Sequence, residues 1–195
     1  VFFGVVALWW IFTRTITGAA GDTRSSIIGS VLVLVAFLWL AAVSVALALI
    51  DLDTHKLPDA IVLPSYFVGG VLLAAGGILN ADYESLIRSG VGLAVLWAAY
   101  LAMAFLYPGG MGFGDVKLAG VLGMYLGFLG WGPLLVGAFA AFLLGGVFAL
   151  GLILTRRASR KTGIPFGPWM LAGAWLGIFA GDSLWNSYLS LVGLA

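Results

Sequence analysis

Seven apolar stretches follow one another along this chain, parted only by short polar segments, and most are long enough to cross a bilayer. They cover residues 1–13, 27–50, 60–79, 89–107, 116–130, 133–155 and 165–181. A run of about 17–25 apolar residues suffices for one helical crossing. The expected fold is therefore all-α, a polytopic transmembrane helix bundle of about seven spans. The first run is short, as a truncated span would be. The fifth is short and rich in glycine, so it is expected to tilt or to cross only in part. Residues 182–195 read as an amphipathic tail in which Trp185 and Tyr188 anchor at the membrane interface. No internal repeat stands out.

Composition agrees with the runs. The chain is 63% hydrophobic and 9% charged, where a soluble domain carries about a quarter charged residues. The polar segments are too short to hold a second folded unit, so residues 1–195 are read as a single integral-membrane domain whose partner is the lipid bilayer. A net charge of +1 gives no sign of a nucleic-acid partner. There is no cysteine, hence no disulfide and no Cys-ligated metal, and the one histidine excludes a His-rich zinc site. No metal and no cofactor are expected. The chain opens on Val1 inside an apolar run with no basic segment before it, so that run is not read as a signal peptide and the natural N-terminus is expected to lie upstream.

Basic residues set the orientation. Arg156, Arg157, Arg160 and Lys161 crowd one short loop, which should face the cytoplasm. Counting back through alternating spans puts the segments 108–115 and 51–59 on that same face, with Lys117 and Lys56 beside them. The opposite loops carry a weaker, mixed set: Arg14, Arg24, Arg88, Asp22, Asp82 and Glu84. A span count wrong by one would put a membrane between Asp51 and Asp115.

Four of the eight carboxylates sit in two polar islands, Asp51-Leu-Asp-Thr-His-Lys-Leu-Pro-Asp59 and Gly110-Met-Gly-Phe-Gly-Asp-Val-Lys-Leu118. Acids at the ends of membrane spans are costly and usually functional. Asp51 follows Ala46-Leu-Ala-Leu-Ile50, near the C-terminal end of a helix, where exposed carbonyls disfavour a negative charge. Asp115 has the opposite setting. A glycine-rich stretch that continues a helix only at a cost leads into the start of the next span, where an acid meets the positive helix end. Asp115 thus admits two readings, a helix cap or a catalytic acid. Gly112 and Gly114 permit close approach of another backbone, such as an extended substrate. Taken together, two neighbouring carboxylates resist joint ionisation and share a proton. One activates water while the other protonates the carbonyl or the leaving amine. The helix ends assign the base to Asp115 and the proton to Asp51.

The neighbours carry less. Asp59 follows Pro58 and is expected to cap the next helix. Asp53 faces either the site or water and is supporting at most. His55 reads as a solvated loop residue. Lys56 and Lys117 read mostly as topology determinants, either of which is also placed to tune the acids. Ile164-Pro-Phe-Gly-Pro168 opens the last span with prolines suited to a first helical turn. Gly123 and Gly127, and Gly173, Gly177 and Gly181, form small-xxx-small patterns of tight helix packing.

These residues resemble those of the type IV prepilin peptidases, bacterial membrane aspartic proteases of the Gly-x-Gly-Asp class. Three motifs carry the likeness: Asp51-x-Asp53 with Pro58-Asp59, the run Gly110–Leu118, and Pro165-Phe-Gly-Pro168. It covers residues 27–181, and the middle motif is highly specific in a polytopic chain. The resemblance implies that Asp51 and Asp115 are the catalytic aspartates. It implies substrates that are type IV pilin or pseudopilin precursors, cut after a short basic leader at the cytoplasmic face of the bacterial plasma membrane. Larger members add a cysteine-rich zinc region and methylate the new N-terminus. This chain has no cysteine, so a short form without zinc is expected and methylation is left open.

Three rival readings compete with this one. A proton-coupled transporter also places acids at glycine-interrupted helices, but with related halves and midplane acids, neither of which this sequence shows. An assembly scaffold would tolerate Asp51→Asn. A preflagellin peptidase would share the chemistry on another substrate. The oligomeric state is not legible.

Overall fold

The computed structural model describes residues 2–17, 24–106, 111–155 and 165–193, with side chains for 2–10, 27–106, 111–155 and 165–193. The described residues form seven α-helices: α1 (Phe2–Thr17), α2 (Arg24–Thr54), α3 (Asp59–Leu79), α4 (Tyr83–Leu106), α5 (Phe113–Leu129), α6 (Trp131–Leu154) and α7 (Gly167–Val192). Among the described residues, four stretches are long and apolar enough to cross a membrane, namely Ile27–Thr54, Asp59–Leu79, Tyr83–Leu106 and Trp131–Leu154. The helix count matches the seven expected spans, whereas length and apolarity together are met by four among the described residues; α7, with 26 residues, has the length.

Local chemistry explains the boundaries. His55 takes a positive φ of 54° just past the end of α2, the left-handed conformation that commonly stops a helix. Pro58, extended at φ −70° and ψ 129°, is the N-cap of α3. Asp82 Oδ1 accepts the Ser85 N–H at 3.1 Å and starts α4 six residues earlier than the apolar run suggested. At the C-terminus the expected separate tail is absent. After Pro168 no proline interrupts the chain, so α7 runs on through Trp185 and Tyr188 to Val192 and stops at Gly193, whose φ is 76°.

The expected short, glycine-rich fifth span is the centre of the molecule. Every residue of α5 from Asp115 to Phe128 except Lys117 is buried, as expected of a helix apolar on all sides. Its 17 residues make a rod about 25 Å long, shorter than the roughly 30 Å hydrocarbon core. Helix α4 packs along α5, α6 along α7 and α2 along α3, while α5 also meets α3, α6 and α7. Polar side chains stitch the helices through carbonyls: buried Tyr125 donates to Ala36 O at 3.1 Å, buried Ser89 to Met124 O at 2.8 Å and half-buried Tyr66 to Lys117 O at 2.5 Å.

Two backbone contacts close the bundle. A Cβ placed on Gly123 would meet Gly92 O at 2.2 Å, and one on Gly177 would meet Pro133 O at 2.6 Å. Both small-residue patterns expected from sequence thus lie at helix interfaces, one between α4 and α5 and the other between α6 and α7. Gly146, by contrast, has open space where its Cβ would go. We predict that Gly123→Val lowers thermal stability in detergent by about 1–3 kcal/mol or more through overpacking. Gly146→Ala should be neutral or stabilise by up to about 1 kcal/mol through helix propensity. Equal unfolding temperatures for the two variants would contradict this packing.

Candidate active site

Two helical hairpins bring the acids to one end of the bundle. Helix α2 ends there and α3 begins there; α4 returns and α5 starts on the same end. Asp51 lies in the last turn of α2 and Asp115 in the first turn of α5. Both line one cleft of about 340 Å³, together with His55, Lys56, Leu57, Asp59, Gly112, Phe113 and Gly114. Their span parity is therefore as the sequence required. Asp51 is 4% exposed and Asp115 9%, so both are buried acids on the wall of an open cleft. Carboxylates that come close on one cleft wall resist ionising together.

Each carboxylate is held by one backbone N–H. Asp115 Oδ2 accepts from Gly112 at 3.0 Å. Gly112 is the N-cap of α5 and Asp115 its third residue, so the bond is one half of a capping box. The simple N-cap reading of Asp115 is thereby replaced: glycine caps, and the acid reaches back. Asp51 Oδ2 accepts from Gly167 at 3.0 Å. Gly167 is the first residue of α7, where backbone N–H groups have no partner within the helix. The contrast drawn from helix ends therefore weakens. Asp51 ends its own helix, yet its carboxylate rests on the positive start of another, so helix polarity no longer separates the two acids.

The remaining expected site residues divide. Gly112 and Gly114 line the cleft. A Cβ on Gly114 would meet the Leu57 Cβ at 2.9 Å, so this glycine lets the α2–α3 connection pack against α5. Asp53 is exposed and is not among the residues lining the cleft; of its two expected orientations, water is the one found. Lys117 does not line the cleft either. Its Nζ binds both Asp59 oxygens at 2.7 Å and lies 5.4 Å from the centre of the Phe113 ring. Asp59 is consequently not the cap of α3, a place taken by Pro58, but an ion-pair partner on the cleft rim. His55 is exposed, as expected, at that rim.

Sequence reasoning passed over Gly167, Leu57 and Phe113. The signal for Gly167 was present in Pro165-Phe-Gly-Pro168, a glycine set between two prolines at a helix start, but it was read only as a helix opening. The basic loop residues Arg156, Arg157, Arg160 and Lys161 used for orientation, and Gly110 of the second island, lie outside the described residues.

Residues 34–150 match the type IV leader peptidase family, a stretch that holds both Asp51 and Asp115. The chain is 38% identical over 158 residues to the prepilin leader peptidase/N-methyltransferase of Aeromonas salmonicida (strain A449), covering 80% of this chain and 53% of that protein. It is 37% identical over 156 residues to the protein of the same name from Aeromonas hydrophila, covering 80% and 52%. The Pseudomonas putida counterpart is 33% identical over 149 residues, covering 76% and 50%. The chain thus spans about half the length of the curated relatives it matches. No solved structure matches it. With a family match over more than half of its length, a helical bundle of membrane-crossing helices and two buried aspartates in one cleft, the chain belongs to the type IV leader peptidase family.

Proposed function

We propose that this chain is a membrane-embedded aspartic endopeptidase that removes the short leader from type IV prepilin-like precursors at the cytoplasmic face of the bacterial plasma membrane. The observation that carries this reading is the meeting of Asp51 and Asp115, far apart in sequence, as two buried carboxylates on one cleft. One carboxylate, ionised, takes a proton from water as the oxygen attacks the scissile carbonyl carbon. The other, protonated, donates to the carbonyl oxygen. Collapse of the tetrahedral species then breaks the C–N bond as the amine takes up a proton. Peptide hydrolysis by this route consumes one water.

The chemistry places conditions on the substrate. A regular helix has its backbone groups already paired, so the segment that is cut must be extended within the cleft. The cut then falls at the cytoplasmic border of the precursor's apolar helix rather than inside it. Support for the cytoplasmic side comes from connectivity: the segment carrying Arg156, Arg157, Arg160 and Lys161 joins the end of α6 to the start of α7, and α7 starts on Asp51. The positive-inside rule places such a segment in the cytoplasm. Lys117 and Asp59 link the second turn of α5 to the first turn of α3.

Purified protein in detergent should cleave a prepilin-like precursor, and Asp51→Asn and Asp115→Asn should each lower the rate by about 10²–10⁴-fold, the range of general acid–base catalysis. Undiminished cleavage by either folded variant would sink the pairing. Mass spectrometry of the products should locate the new N-terminus next to the apolar segment; a cut several turns into that segment would rule out a site at this end of the bundle. Lys117→Met should cost less than about 1 kcal/mol of stability, since exposed ion pairs contribute little. Thermal unfolding is the readout, and a larger loss would mean that the Asp59 pair is shielded from solvent.

A further inference from the structure

We infer that Gly167 is the positioning residue for Asp51: its backbone N–H fixes the carboxylate from across the bundle, and its missing side chain makes the room in which the carboxylate lies. The consequence for catalysis rests on the two-aspartate reading proposed above; the contact itself does not.

Two observations converge on this residue. The Gly167 N–H donates to Asp51 Oδ2 at 3.0 Å between groups buried from solvent. A Cβ at position 167 would lie 2.6 Å from that same oxygen and 3.2 Å from Asp51 Cγ. The donor that holds the carboxylate and the space that admits it thus belong to one residue. The other side is closed as well, since the same Cβ would come within 3.2 Å of Leu57 Cδ2. Leu57 in turn packs on Gly114, next to Asp115, so one leucine lies between the glycines that border the two acids. With Leu57 on one side, the freest response to a methyl group at 167 is rotation of the short Asp51 side chain. That rotation breaks its hydrogen bond and turns the carboxylate out of register with Asp115.

The start of α7 is itself braced. Phe166 packs its ring 5.3 Å from Phe142 and 6.3 Å from Tyr100, measured between ring centroids. A Cβ on Gly145 would meet the Phe166 ring at 2.9 Å, so α6 bears directly on the residue before Gly167. The N–H is presented by a turn packed against α4 and α6 rather than by a free loop end. Pro168 follows at the second helical position, where its missing N–H costs nothing. This region lies beyond the stretch matched by the family model, and Pro165-Phe-Gly-Pro168 entered the resemblance as a motif with no role given to its glycine.

The test uses the purified full chain in detergent and two separate readouts. In cleavage of a prepilin-like precursor, Gly167→Ala should lower kcat by about 10²-fold, the scale of a misplacement of about 1 Å, with KM within about threefold of the parent. Gly146→Ala, a glycine with open space around it, should leave both constants unchanged. A kcat for Gly167→Ala within threefold of the parent overturns the inference. The second readout needs no activity. Gly167→Ala should lower the unfolding temperature by about 3 °C or more in the parent, but by less than about 1 °C in an Asp51→Ala background, where no carboxylate remains to be displaced. An equal loss in both backgrounds overturns the inference. Cleavage that survives Asp51→Asn would refute the two-aspartate reading alone, with the thermal cycle still deciding whether Gly167 holds Asp51.

Discussion

Close approach of helix backbones is the constraint on which the rest of this structure depends. Hydrocarbon offers no hydrophobic drive to bring one apolar helix against another, so packing and interhelical hydrogen bonds do that work. Glycine permits the necessary approach at Gly92 and Gly123 between α4 and α5, and at Gly173 and Gly177 between α6 and α7. The first contact sets α5 in the middle of the bundle with Asp115 at its starting end. The second holds α7 against α6 as it runs to Asp51. The cleft itself is lined by the end of α2, the α2–α3 connection and the start of α5.

The electrostatic problem is solved locally. Burying carboxylates is costly unless hydrogen bonds compensate. Here each receives one from a backbone N–H beside a helix start, Gly112 for Asp115 and Gly167 for Asp51. Backbone donors of this kind do not titrate and do not swing away, and a glycine at each donor lets the carboxylate approach. The rim is treated differently. Asp59 is neutralised by Lys117 in an exposed pair, which leaves the two inner acids as the unpaired carboxylates lining the cleft among the described residues.

Much of this was legible beforehand. The apolar runs foretold helices, because a backbone in hydrocarbon must satisfy its own hydrogen bonds. The order of the two polar islands, separated by two runs, foretold that Asp51 and Asp115 would share an end. Helix boundaries were less legible: α4 begins within a polar stretch because Asp82 caps it, and α7 outlasts its apolar run because nothing after Pro168 breaks it. Asp53 and Asp59 show the limit of reading acids by proximity. They flank Asp51 in sequence, yet one points to water and the other to Lys117.

Sequence by itself determined the class of fold, the helix count and which two acids are carried to the same end, since those follow from hydropathy, length and parity along one chain. Tertiary structure decided what each acid touches. The polarity of α2 placed Asp51 at an unfavourable helix end, and only the docking of α7 supplied the opposite one through Gly167. That contact joins residues from separate helices, and no local pattern around either of them encodes it. It exists because glycine contacts between α6 and α7, and the packing of Phe166 on α4 and α6, deliver one particular N–H to one particular oxygen.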